Sequence, residues 1–189
     1  MAQSVPKYTI FTLFLFSFLL HTQSNQFSEN LSTKLNGFKR EKLTHLHFYF
    51  HDIAAGDHPT VVNVAKPPTT NTSDALFGPI YVVDDPLTIG PNLTSKLVGR
   101  AQGMYALSSL SEFRLVMSLS YVFTEGKYNG STLSILGGNS ISAPVRELPV
   151  VGGSGAFRFA RGYAVTKTHF FNATNEEAVV EYDVYVLHY

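Results

Sequence analysis

Cysteine and tryptophan are both absent from the 189 residues. Without cysteine there are no disulfides, no zinc-finger or iron–sulfur ligands and no thiol nucleophile. Charge is scarce as well. Asp, Glu, Lys and Arg make up 15% of the chain, too few for a disordered polyelectrolyte. Neither sign prevails: 14 basic residues face 14 acidic ones, with no basic run. Nucleic-acid binding draws its affinity from a basic excess that neutralises phosphates, so that class is set aside. Internal repeats and low-complexity segments are missing too.

What is present is a leader, a set of sequons and many short strands. Lys7 precedes an eleven-residue apolar stretch, 10–20, followed by polar residues. A membrane-spanning helix takes about 20 apolar residues. The layout is that of a secretory signal peptide, with cleavage near Ser24. The expected organisation is therefore a signal at 1–24, a flexible polar lead at 25–42 and one β domain at 43–189. The expected location is secreted, in the apoplast, with no membrane contact once the signal is removed. Asn-x-Ser/Thr sequons at Asn30, Asn71, Asn92, Asn129 and Asn172 agree with export and mark surface loops.

Apolar types supply 44% of the chain, enough for one core, and Tyr (10) and Phe (15) are plentiful. Residues 44–53 put Leu46, Phe48, Phe50 and Asp52 on one face and His45, His47, Tyr49 and His51 on the other. This is a strand whose apolar face ends in a carboxylate. Residues 98–108 place Gly99, Ala101, Gly103 and Tyr105 on one face, small enough to let a sheet bend. Residues 109–123 pull two ways. Ser109 to Glu112 has the form of a helix capping box, yet alternation from Phe113 to Phe123 favours a strand. Asp84-Asp85-Pro86 and Gly152-Gly153-Ser154-Gly155 read as turns, and residues 137–149 as a long loop holding Arg146. Eight or nine strands without a convincing long helix give a sandwich or a barrel.

Three constellations have chemical potential. His45, His47 and His51 share a strand face at metal-chelating spacing, but no acid of that strand joins them; a polar outer face or a subunit contact explains them equally. The glycine-rich 152–155 segment lacks the lysine and the helix of a phosphate loop. Asp52, Tyr105, Arg146 and Arg161 form the third. Burial beside aromatics raises a carboxyl pKa towards proton transfer, and a guanidinium holds a phenolate or carboxylate.

His47-Phe48-Tyr49-Phe50-His51-Asp52-Ile53, Asp84-Asp85-Pro86-Leu87-Thr88, the 98–105 segment, Tyr128-Asn129-Gly130-Ser131-Thr132, Val145-Arg146-Glu147, the 150–155 segment and Phe159-Ala160-Arg161-Gly162 occur in that order. Together they make the chain resemble the plant dirigent proteins from about residue 43 to the C-terminus. The resemblance implies an all-β fold, an eight-stranded antiparallel β-barrel, secreted and assembled as a homotrimer. It implies no cofactor and no metal. A small phenolic radical or quinone methide is bound, its product stereochemistry is fixed, and a separate oxidase (laccase or peroxidase) makes any radical. It also implies catalytic roles for Asp52, Tyr105 and Arg146 and substrate contacts from Phe48, Phe50, Asn139, Phe159 and Arg161. Asn139 stands where the lignan-forming branch carries aspartate, and Leu107 where it has an aromatic. The 158–163 and 184–189 segments resemble the branch that includes pterocarpan synthases, which dehydrate an isoflavanol through a quinone methide. Three readings follow: a stereochemical guide, such a dehydratase, or a cupin-like metalloprotein built on the histidines.

Overall fold

Period-two alternation of apolar and polar side chains persists through most of residues 40–189, which the computed structural model describes. Nine strands result: β1 (Lys42–Asp52), β2 (Val61–Ala65), β3 (Ile80–Thr88), β4 (Leu97–Leu107), β5 (Arg114–Phe123), β6 (Thr132–Ser140), β7 (Arg146–Ser154), β8 (Arg161–Asn172) and β9 (Glu177–His188). All pairings are antiparallel, in the order β1-β9-β8-β7-β6-β5-β4-β3-β2. A second edge of β1 pairs with β3 through Tyr49 with Thr88 and Phe50 with Leu87. That pairing closes an eight-stranded barrel and leaves β2 as an extra strand on β3. The expected leader and the lead up to residue 39 lie outside the described residues.

One face of every barrel strand points inward, and the core is aromatic. Phe48 stacks on Tyr182 at 5.6 Å, and Tyr121 meets both rings edge-on at 5.4 and 5.7 Å. Offset and edge-to-face contacts suit the quadrupoles of such rings. Phe50, Leu133 and Val184 complete this centre with almost no exposure.

One ambiguity resolves as the alternation indicated, and three local expectations change. Residues 109–123 resolve as strand β5 from Arg114. Ser109 Oγ does accept from the amides of Ser111 and Glu112, both at 3.3 Å, but no helix follows. Burial of Met117, Leu119, Tyr121 and Phe123 on one face outweighs the cap. The long loop at 137–149 shrinks to residues 141–145, because Gly137 and Gly138 continue β6 beneath Pro149 and the Arg114 guanidinium. A side chain at either glycine would collide with those neighbours. Arg146 is accordingly the first residue of β7 and not a loop residue. Asp84-Asp85-Pro86 is strand rather than turn. In the 152–155 segment, Gly152-Gly153-Ser154 extends β7 and only Gly155, at φ +61°, makes the turn.

Candidate functional site

The ends of β1, β4, β6 and β8 and the starts of β5, β7 and β9 meet at one end of the barrel. Asp52 closes β1 there, facing inward as the period of Phe48 and Phe50 requires. Tyr105, on the inner face of β4, donates its hydroxyl to Asp52 Oδ2 at 3.0 Å. Tyr81 of β3 stacks on Tyr105 at 5.1 Å. The second oxygen, Asp52 Oδ1, is buried with no hydrogen-bond partner.

A second carboxyl lies beside the first. Asp85 points inward from β3 and is fully buried, while Asp84 points out to Arg100 at 2.6 Å. Thr60 Oγ1 donates to Asp85 Oδ1, and Asp85 Oδ2 has no partner. Burial pushes the Asp52 carboxyl up to about 6, against the pull of the Tyr105 hydrogen bond. Burial, then the nearby Asp52 charge, drives Asp85 higher, to about 8, with Thr60 and Arg100 opposing. Two carboxyls in one low-dielectric site resist carrying two charges, so near neutral pH the pair retains a proton. Burial and Asp52 together keep Tyr105 a neutral phenol.

Arg146 supplies the opposite sign. Its guanidinium is buried at the start of β7 and donates to Thr166 Oγ1 (3.2 Å), Thr168 Oγ1 (2.7 Å) and the Ala143 carbonyl (3.3 Å). No carboxylate among the described residues lies within ion-pair distance of it. Desolvation lowers its pKa, and Tyr182 partly offsets this. Tyr182 lies within electrostatic reach of Arg146, Asp52 and Asp85 alike. Burial is the main reason its phenol is pushed up to about 12. Asn139, inward on β6, donates to Met117 Sδ at 3.2 Å and leaves its Oδ1 buried and unpartnered. A proton-bearing acid pair, a guanidinium without a carboxylate partner and orphaned acceptors therefore gather around the buried aromatic core. Buried polar atoms without partners call for water or a ligand.

The structure thus brings Asp52, Tyr105, Asn139 and Arg146 to one end, with Phe48 and Phe50 as the aromatic wall beneath. It does not bring Phe159 and Arg161 there. Arg161 pairs with Leu187 at the far end of the barrel and forms an ion pair with Glu41, and Phe159 is 60% exposed. Sequence reasoning missed Asp85 and Tyr81. The signal was the alternation Tyr81, Val83, Asp85, Leu87, masked by the following proline. A recess of about 280 Å³ opens elsewhere, against Leu46, Phe48, Phe123 and Tyr128. It holds the exposed Lys96–Glu125 pair and no buried acid, whereas the buried acids make the Asp52 end the candidate site. His45 and His47 face outward, whereas His51 is buried and bonded to Thr88 Oγ1 at 2.7 Å. The histidines therefore do not converge inside the barrel, and the cupin-like reading fails.

The chain matches the family model described as dirigent-like protein over residues 43–187. It is 54% identical to dirigent protein 21 of Arabidopsis thaliana over 88% of each chain. It is 48% identical to pterocarpan synthase 1 of Glycyrrhiza echinata over the whole length of both. The solved structure of a pterocarpan synthase dirigent protein superposes with a TM-score of 0.75 at 52% identity, covering 80% of this chain and 87% of that one.

Proposed function

From the premise that this chain belongs to the dirigent-like protein family, we propose that its barrel binds a phenolic quinone methide or phenoxy radical and fixes the face on which the next bond forms. The observation that carries this reading is the buried acid pair Asp52–Asp85 together with the buried Arg146, which has no carboxylate partner among the described residues, all within electrostatic reach of Tyr182. A quinone methide has one oxygen that gains negative charge and one carbon that gains positive charge. Arg146 stabilises the oxygen, and the carboxyl end faces the carbon. The ring lies against Phe48, Phe50 and Tyr182, and the orphaned Asn139 Oδ1 accepts from a second hydroxyl. Where the partner reaction is oxidative coupling, a separate laccase or peroxidase supplies the radical.

A second reading is favoured by the raised pKa of Asp52: isoflavanol dehydration of the pterocarpan-synthase type. In it the neutral acid protonates the benzylic hydroxyl, and the C–O bond breaks with loss of water. The proton of the first phenol passes to the Asp52 carboxylate, restoring the acid, and a quinone methide forms. A second phenolic hydroxyl then adds to the same carbon, and its proton restores the first phenol. One water is lost and no electrons change hands. Incubation with each enantiomer of an isoflavanol, without oxidase, followed by chiral chromatography tests this. Stereoselective cyclised product supports dehydration. Product only when oxidase and a coupling substrate are added supports the guiding role. Equal racemic product with and without the protein in both arms overturns the whole assignment.

The proposal extends to location and assembly. Export follows from the leader, and glycosylation from the sequons. Asn71 is exposed in a short 3-10 helix at Pro68–Thr72, Asn92 and Asn129 are exposed in bends and turns, and Asn172 ends β8; Asn30 lies outside the described residues. A homotrimer is supported by an outer row of apolar side chains, Val62, Val82, Met104 and Leu136, aligned across β2, β3, β4 and β6 and each 44–57% exposed. Ser118 of β5 interrupts the row between Met104 and Leu136, and an exposed apolar face of this kind favours burial against another copy.

A further inference from the structure

The outer face of β1 and β9 carries a cluster that the barrel interior does not use. His47 lies directly across from Asp183, His45 from Tyr185, and Tyr49 from Glu181. Asp183 Oδ1 is 2.8 Å from His45 Nε2 and 3.0 Å from His47 Nδ1, so one carboxylate oxygen joins two imidazoles. His47 Nε2, the other nitrogen of that ring, faces Glu181 Oε1 at 3.9 Å. The atoms that His47, Glu181 and Asp183 can offer to a metal all lie within 4.8 Å of one another. On β1 alone the histidines had no acid; the β9 register supplies two.

We propose that this face binds one divalent transition-metal ion per protomer, of the Zn²⁺ class, through the His47 imidazole and the Glu181 and Asp183 carboxylates, with His45 Nε2 holding Asp183 in place. Imidazole and carboxylate donors select such ions over Mg²⁺ and Ca²⁺, which prefer all-oxygen sets. Zn–N and Zn–O bonds of about 2.0–2.1 Å in a tetrahedron place donor atoms roughly 3.3 Å apart. The donor atoms of His47, Glu181 and Asp183, within 4.8 Å of one another, reach that value by side-chain rotation on the exposed face. The rings are already held. His45 stacks on Tyr185 at 4.7 Å and 13°, Tyr185 stacks on Tyr163 at 5.2 Å, and His47 meets Tyr49 edge-on at 5.4 Å. Glu181 accepts from the Tyr49 hydroxyl at 3.4 Å, and Asp183 is held by His45 at 2.8 Å, so both carboxylates are oriented by neighbouring groups as metal-binding carboxylates are. All four groups are partly exposed, which gives the ion an entry path and leaves a fourth position for water. Bound there, the ion clamps β1, which carries Asp52, to β9, which carries Tyr182.

The test is calorimetric titration of untagged, metal-stripped protein with ZnCl₂, with MgCl₂ as a second titrant. One Zn²⁺ per protomer is expected, with affinity at least tenfold weaker in His47→Gln and in Asp183→Asn. It is expected to be absent in the His45→Gln/His47→Gln double variant and unchanged in His58→Gln. Thermal unfolding of the same samples should rise with Zn²⁺ in the wild type and not in the double variant, whose fold is checked by circular dichroism. No heat with Zn²⁺, equal affinity in wild type and double variant, or Mg²⁺ binding as tight as Zn²⁺ would each overturn the proposal.

Discussion

Asp85 and Asp52 are costly residues for a barrel interior, and their cost is readable in pH. The folded pKa of Asp85 lies near 8, far above that of an exposed carboxyl. Between these values the folded state holds a proton that the unfolded chain has released, so stability falls as pH rises. Asp52 adds the same slope up to about 6. Buried His51, whose pKa is lowered by desolvation, works the other way below its ordinary value. The window from about 6.5 to 8 therefore reports Asp85. Chemical denaturation should show the wild type losing stability across this window and Asp85→Asn flattening the loss. For chemistry, Asp52→Asn keeps the shape and removes the acid. Single-turnover assays should show a loss of about 10²–10³ in rate, or lost enantiomeric excess in coupling, with Arg146→Ala similar. Product formation by the wild type should decline as pH rises from 6 to 8, because the pair gives up its proton there. Asp52 was legible in the sequence because it continues an aromatic period; Asp85 was not, because a proline beside paired acids has the signature of a turn.

At the scale of elements, β3 shows why that signature misled. Its outer edge has two successive partners: β2 pairs as far as Val83, and β1 begins at Leu87. Pro86 falls in the gap between them, so its missing N–H breaks no ladder bond. The chain between β1 and β2 fills that gap through the Thr60 side chain, which donates to Asp85. Strand β4 shows the converse, where small residues are required. Gly103 has φ +148°, and a Cβ there would collide with the Ser118 carbonyl oxygen of β5. Gly103→Ala should destabilise the barrel by about 2 kcal/mol or more in urea denaturation. Gly56, at φ +98° with open space around it, should tolerate alanine at a smaller cost. Equal effects at the two sites would show that backbone conformation alone decides.

At the scale of the whole molecule, a cysteine-free barrel exposes an apolar row that a monomer gains nothing by keeping wet. Light scattering should give a trimer, and Val82→Lys with Met104→Lys should dissociate it while far-ultraviolet dichroism stays β-rich. Endoglycosidase treatment of the secreted protein should lower its mass; an unchanged mass would overturn the glycosylation proposal. The sequence by itself determined the all-β class and the candidacy of Asp52, because strand periodicity is a local property of neighbouring residues; Tyr105 and Arg146 were marked by the family resemblance, with Arg146 read as a loop residue. Closure was decided only by the tertiary structure, since the β1–β3 pairing joins residues far apart in the chain. Closure also sorted the candidates by end. Arg161 and Phe159 stand in a phrase that resembles the family's yet belong to the opposite rim. It brought Asp85 against Asp52, and Asp183 against His45 and His47, because cross-strand register, unlike strand period, is set by partners that no single segment contains.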